Sequence, residues 1–111
     1  MKKQIAIIKG DGIGPEVINQ SIKVLSAIGA RFDHQFKFVP VDMGACAIDK
    51  YGVPITDNDL EICAQSDAVL LGAIGDPKYD NDPSAKVRPE QGLLKLRKDL
   101  GLYCNIRPIV T

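Results

Sequence analysis

The sequence predicts an α/β fold, a largely parallel sheet flanked by helices, and two observations carry that reading. Strand-length apolar runs alternate with segments whose apolar residues recur at helical spacing, as in chains that wind helices around a parallel sheet. Residues 68–74 form an almost continuous apolar run of the kind found in parallel strands, which are covered on both faces.

The first strand is the apolar run from Gln4 to Ile8, followed by a glycine-rich turn over Gly10 to Gly14. Pro15 suits the first position of a helix reaching about Ile28, with Val17, Ile18, Ile22, Leu25 and Ile28 on its apolar side. Strand, glycine turn and helix invite a dinucleotide-binding reading. A G-x-G-x-x-G fingerprint starting at Gly10, however, needs its third glycine where Pro15 stands, so the chain is not a Rossmann domain of that type. No Gly-Lys-Ser/Thr follows either, which excludes a Walker phosphate loop. Two readings of the turn stay open: a plain tight turn, or the lining of a ligand cleft at the carboxyl end of its strand.

A second strand is expected over Gln35 to Val41 and a short helix over Gly44 to Tyr51, closed by the turn Gly52-Val53-Pro54. Thr56 can cap a helix reaching Gln65, with Asp59 as a weaker capping-box partner. Asp67 precedes the third strand, and residues 75–89, with three prolines, then form a long loop. A structureless loop of that length in a compact domain is usually functional. Its aspartates Asp76, Asp80 and Asp82 lack the spacing and glycine of a calcium loop, and Asx turns explain them better.

Pro89 can open a further helix and Gly101 close it, because proline lacks only an N–H that the first turn leaves unused and glycine accepts the left-handed conformation at a helix end. Over 90–100, Leu93, Leu96 and Leu100 share one stripe, while Glu90, Leu94 and Arg97 share another roughly 80 to 90° away. An acid, a leucine and an arginine suit a ligand with an apolar branch and a carboxylate. After Gly101 the period becomes two, with Leu102, Cys104 and Ile106 opposite Tyr103, Asn105 and Arg107, which predicts a strand with one polar face. Arg97 and Arg107 on consecutive elements can converge on one anion, and the planar guanidinium matches a carboxylate bidentately. The same pattern also describes an ordinary amphipathic helix and arginines that merely snorkel.

Composition narrows the field. With 45% hydrophobic and 25% charged residues in 111, the chain can bury a core. Fourteen basic and fourteen acidic side chains cancel without a basic block, so nothing points to nucleic acid or an anionic membrane surface. No tract reaches membrane-span length, and the run after Met1-Lys2-Lys3 is too short for a signal peptide; the expectation is a cytoplasmic protein. Cys46, Cys63 and Cys104 form no Cys-x-x-Cys pair and suggest neither a disulfide framework nor a zinc site. His34, the only histidine, is expected at the surface before a strand.

The run Glu90-x-x-Leu93-Leu94-x-x-Arg97, followed by Asn105-x-Arg107-Pro108, resembles the isocitrate/isopropylmalate family of metal-dependent β-decarboxylating dehydrogenases. Gly10-Asp11-Gly12-Ile13-Gly14-Pro15-Glu16 and Leu71-Gly72-Ala73-Ile74-Gly75-Asp76-Pro77-Lys78-Tyr79 resemble that family's segments in the same order. The family enzymes are much longer, so the resemblance implies that residues 1–111 are an incomplete N-terminal part of such a domain, inactive alone. It implies a homodimer that oxidises a small dicarboxylate with NAD, using Mg2+ or Mn2+ held by ligands outside this chain.

By that resemblance Arg97 and Arg107 bind substrate carboxylates, Leu93 and Leu94 meet the substrate's branch, and Glu90 lies between branch and nicotinamide ribose. Cofactor contact falls to Asp76, Pro77, Lys78, Tyr79, Asp80, Arg88, Pro89 and Glu90, although the family often has glycine where Asp76 stands. No catalytic residue and no metal ligand is expected here. Two leucines imply an apolar branch, hence an isopropylmalate enzyme of leucine biosynthesis. Homoisocitrate or tartrate enzymes, or a non-catalytic α/β binding module, are the alternatives.

Overall fold

The computed structural model describes residues Met1 to Thr111. Three parallel strands, β1 (Lys2–Gly10), β2 (Gln35–Pro40) and β3 (Ala68–Ala73), lie in the order β2-β1-β3, with Ile5 opposite Phe38 on one side and Ala68 on the other. The first crossover is the helix α1 (Gly14–Phe32); the second contains α2 (Ala45–Tyr51) and α3 (Asp57–Gln65). After β3 come a one-turn helix α4 (Pro77–Asp80) and α5 (Glu90–Asp99).

The pleat of the central strand divides the core. Ala6 and Ile8 point to a cluster with Val41, Met43, Ile55, Leu60, Cys63 and Leu96, which seats α3 and α5 on one face. Ile5 and Ile7 point the other way, toward Ile18 of α1, with Ile22, Leu25, Phe36, Phe38 and Leu70 around them. Fully burying an isoleucine or leucine stabilises by about 1.5 to 3 kcal/mol, so β1, apolar on both faces, anchors the sheet. The third strand is less enclosed than its sequence suggests. Val69 to Ala73 are only half-buried, because β3 forms an edge of this sheet and has one strand neighbour.

Helix ends follow their local chemistry. Thr56 Oγ1 accepts the Asp59 N–H at 3.2 Å at the start of α3. Pro89 takes the position before Glu90 with helical dihedrals. At the other end Gly101 adopts φ +67°, its N–H donating to the Lys98 carbonyl and that of Leu102 to the Arg97 carbonyl. That pair of bonds is the Schellman arrangement that glycine makes possible.

Other expectations fail. Along α1, Val17 and Ile28 are exposed although they fit the apolar period, since the helix faces the strands with Gly14, Ile18, Ile22, Leu25 and Gly29. Residues 102–107 form no strand. From Leu102 to Thr111 the chain has no helix or ladder and every residue is exposed, because alternation specifies a face and a strand also needs an edge to pair with. His34 is half-buried, its Nδ1 enclosed without a hydrogen-bond partner. All three cysteines are free, and no helix is long and apolar enough to cross a membrane.

Candidate functional site

In a parallel sheet the carboxyl ends of the strands open toward one side, where open α/β folds place their ligands. Here that rim is built around Asp11, a buried carboxylate. Its Oδ2 accepts the N–H groups of Ala45 at 2.8 Å and Gly75 at 3.0 Å, and Oδ1 accepts that of Cys46 at 3.0 Å. The turn after β1, the entry to α2 and the exit from β3 therefore meet on one side chain. Charge-assisted bonds of this kind are about twice as strong as neutral ones. Gly44 must be glycine for the knot to close: its φ is +96°, and a Cβ there would stand 2.5 Å from Asp11 Oδ2. Gly10, at φ +76°, lies so close to the Ala73 carbonyl that a Cβ would overlap it.

The glycine pattern of this turn does not by itself single out Asp11. The signal was available: an acid between glycines at a strand's carboxyl end needs donors, and the next turns supply them.

Beyond Gly75 the chain enters the loop expected to face a cofactor. Asp76 Oδ1 accepts the Lys78 N–H at 2.9 Å and so caps α4, with Pro77 in its first turn. Lys78 Nζ lies 2.8 and 3.0 Å from the two Asp49 oxygens, and the Tyr79 hydroxyl lies 3.1 Å from Asp49 Oδ1. The Lys78 hydrogen bond holds the Asp49 carboxyl below its ordinary range, and the same contact raises the Lys78 ammonium. Desolvation, then the bond to Asp49, raises the Tyr79 phenol. Asp80 is exposed. Arg88 folds back over the loop, Nη1 donating to the Tyr79 carbonyl at 2.8 Å and Nη2 to that of Asp82 at 3.0 Å. Pro89 is buried.

The two stripes of α5 separate as their composition suggests. Leu96 is buried and Leu93 and Leu100 pack partly against the same core, whereas Leu94 is 61% exposed. Leu93 thus serves the core as well as the stripe's border. Glu90 is exposed, and its Oε1 lies 3.3 Å from where a Cβ on Gly75 would stand, so the acid end of the outer stripe sits against the exit of β3. Arg97 is half-buried, and neither its guanidinium nor the Glu90 carboxylate hydrogen-bonds within the chain.

The expected convergence of Arg97 and Arg107 is absent. A shallow concavity joins Arg97 to Leu102, Tyr103, Cys104, Asn105 and Ile106 without Arg107. Arg107 is exposed on the unpaired tail, its Nε 3.4 Å from Asn105 Oδ1. No three His, Cys, Asp or Glu side chains are grouped to hold a metal ion.

Comparison with known proteins agrees with this arrangement. Residues 4–111 match the model of the isocitrate/isopropylmalate dehydrogenase family. The chain is 52% identical over 111 residues to 3-isopropylmalate dehydrogenase of Bacteroides fragilis, covering all of this chain and 31% of that protein. It is 55% identical over 108 residues to the enzyme of the same name from Helicobacter hepaticus, covering 97% of this chain and 30% of that one. The chain thus spans under a third of these relatives' length. Among solved structures, a β-decarboxylating dehydrogenase from Thermococcus kodakarensis superposes with a TM-score of 0.72 at 38% identity, over 91% of this chain and 27% of its own. Isocitrate dehydrogenase from Methylococcus capsulatus gives the same TM-score at 27% identity, over 91% and 26%. With a family match along nearly its whole length and a fold that superposes on two such dehydrogenases, the chain belongs to the isocitrate/isopropylmalate dehydrogenase family.

Proposed function

We propose that residues 1–111 supply the branch-recognising helix and the cofactor-facing loop of an NAD-dependent 3-isopropylmalate dehydrogenase of leucine biosynthesis. They form the N-terminal part of its domain. The observation that carries this is the outer stripe of α5: Leu94 exposed between a Glu90 carboxylate and an Arg97 guanidinium that have no hydrogen-bond partner in the chain. Exposed leucine favours an apolar branch over the carboxylated branch of isocitrate or homoisocitrate, since burying a charge beside it without a partner is costly. The high identity to two enzymes of that name supports the same substrate.

In the overall reaction the C2 hydrogen leaves as hydride to the nicotinamide, the 2-hydroxyl becomes a ketone after losing its proton, the 3-carboxylate departs as carbon dioxide leaving its electron pair in an enolate, and C3 then takes up a proton to give 4-methyl-2-oxopentanoate. Within it, Arg97 and Arg107 orient the substrate's carboxylates, and Leu93 and Leu94 take the isopropyl group. Binding apolar branch and carboxylate at once fixes the substrate's orientation. Glu90, with its free carboxylate beside Gly75, fits a ribose hydroxyl of the cofactor, and Asp76 to Asp80 with Arg88 and Pro89 shape the wall around it. NAD, when bound, supplies the hydride acceptor. A divalent cation does not fit the residues present. Asp11, whose oxygens already accept three N–H groups, is not free to bind one. None of these residues is assigned a step through magnesium or manganese. The same reading makes the enzyme a cytoplasmic homodimer.

The test is an assay of the enzyme of the relatives' length on 3-isopropylmalate, isocitrate, homoisocitrate and tartrate with NAD. Preference for 3-isopropylmalate supports the assignment. Preference for a carboxylated branch overturns it.

A further inference from the structure

The loop between β3 and α5 is anchored at its two ends, by the Gly75 N–H on Asp11 and by the buried Pro89. Between them, the only hydrogen bonds that tie residues 76–88 to another part of the molecule, apart from the step into α5, end on the Asp49 carboxylate. Asp49 belongs to α2, in the other crossover. It receives Lys78 through both oxygens and the Tyr79 hydroxyl through one, and Lys78 Nζ also lies 5.2 Å from the Tyr79 ring centroid. From the opposite side Arg88 holds the Tyr79 and Asp82 carbonyls, which makes the loop a stiff unit. A stiff unit with fixed ends has little freedom except to swing as one piece. Asp49 stands where that swing is stopped.

We propose that Asp49 is a positioning residue for cofactor binding, acting through Lys78 and Tyr79 to hold the Pro77–Asp80 turn against α2. This rests on the reading of the loop as the cofactor-facing wall. The side chains of Asp49 and Lys78 are 50% and 52% exposed, so the contact is screened by solvent and its loss does not unfold the domain. It changes the fraction of molecules whose loop is in place. Apparent cofactor affinity falls in proportion to that fraction, and the bound state, once formed, reacts as before.

Asp49→Ala and Asp49→Asn in the enzyme of the relatives' length test this, with amide exchange over residues 77–82 measured beside steady-state kinetics. Exchange should quicken in that segment alone, and KM for NAD should rise about three- to tenfold while kcat stays within about twofold. Asp49→Glu, which keeps the charge and two acceptors, should recover most of the affinity. Added salt should narrow the gap between wild type and Asp49→Ala. Unchanged exchange in 77–82 would overturn the clasp itself. Quickened exchange with an unaltered KM for NAD would overturn the positioning role and the cofactor reading of the loop, leaving the substrate reading of Leu94 and Arg97 in place.

Discussion

Leu94 and Leu96 stand two residues apart on α5 and lie in opposite environments, the first 61% exposed and the second 4%. Two helical steps turn the side chain by about 200°. Leu96→Ala should destabilise the fold by about 2 to 5 kcal/mol, the usual cost of emptying a buried leucine site. Leu94→Ala should change stability by less than about 0.5 kcal/mol. In the enzyme it should nonetheless lower kcat/KM for 3-isopropylmalate by about ten- to a hundredfold and weaken discrimination against a shorter-branched malate. Urea unfolding and paired kinetics decide the matter. An unchanged ratio between the two substrates would make Leu94 a bystander.

Removing Asp11 strips three N–H groups of their acceptor. Asp11→Ala should cost at least about 2 kcal/mol, because buried donors left unpaired carry their full desolvation penalty. Gly44→Ala should lie in the same range, combining a left-handed backbone with a methyl pushed onto the Asp11 carboxylate. Urea midpoints of both variants check this; a shift equivalent to less than about 0.5 kcal/mol in either would be incompatible with the knot.

Arg97→Lys and Arg107→Lys keep the charge and lose the planar fork. Each should lower kcat/KM by at least about tenfold, since a lysine point charge does not reproduce bidentate geometry. Near-normal kinetics in both would remove the pair from the site.

The cysteines should separate by reactivity. Cys104 is exposed, Cys46 half-buried and Cys63 buried. Burial is the main cause that raises the thiol pKa of Cys46 and Cys63, with Asp11 adding to the rise at Cys46 and Asp59 at Cys63. The thiolate is the nucleophile, so a raised pKa means less of it at neutral pH and a gain that comes only on going more alkaline. Mass-spectrometric labelling with an alkylating reagent should therefore modify Cys104 first. Cys46 reacting as fast at neutral pH would contradict its enclosure.

The limits of α5 were legible because they depend on residues whose backbones are special: Pro89 without an N–H and Gly101 with a left-handed φ. Three strands and the parallel character of the sheet were legible from strand-length runs alternating with helical periods. Residues 102–107 misled, since their period of two is real but pairing is a property of two segments. Val17 and Ile28 misled for a related reason: a period marks which side is apolar, and the width of the sheet beneath decides how much of that side is covered. Asp11 escaped notice because its partners lie 34, 35 and 64 residues away.

The parallel direction of the three strands gives the molecule two rims with different tolerances for change. At the rim where the strands begin, Lys2, Lys3, Gln35 and Lys37 line an open surface, and the main polar tie is the Gln4 N–H on Asp67 at 2.8 Å. Charge and solubility can be rewritten there with little consequence for chemistry. At the rim where they end, Gly10, Asp11, Gly44 and Gly75 interlock, so a change at one shifts the others and the loop that follows. New specificity within this scaffold is therefore most accessible through the exposed stripe of α5, the part of that rim that the Asp11 knot does not bind.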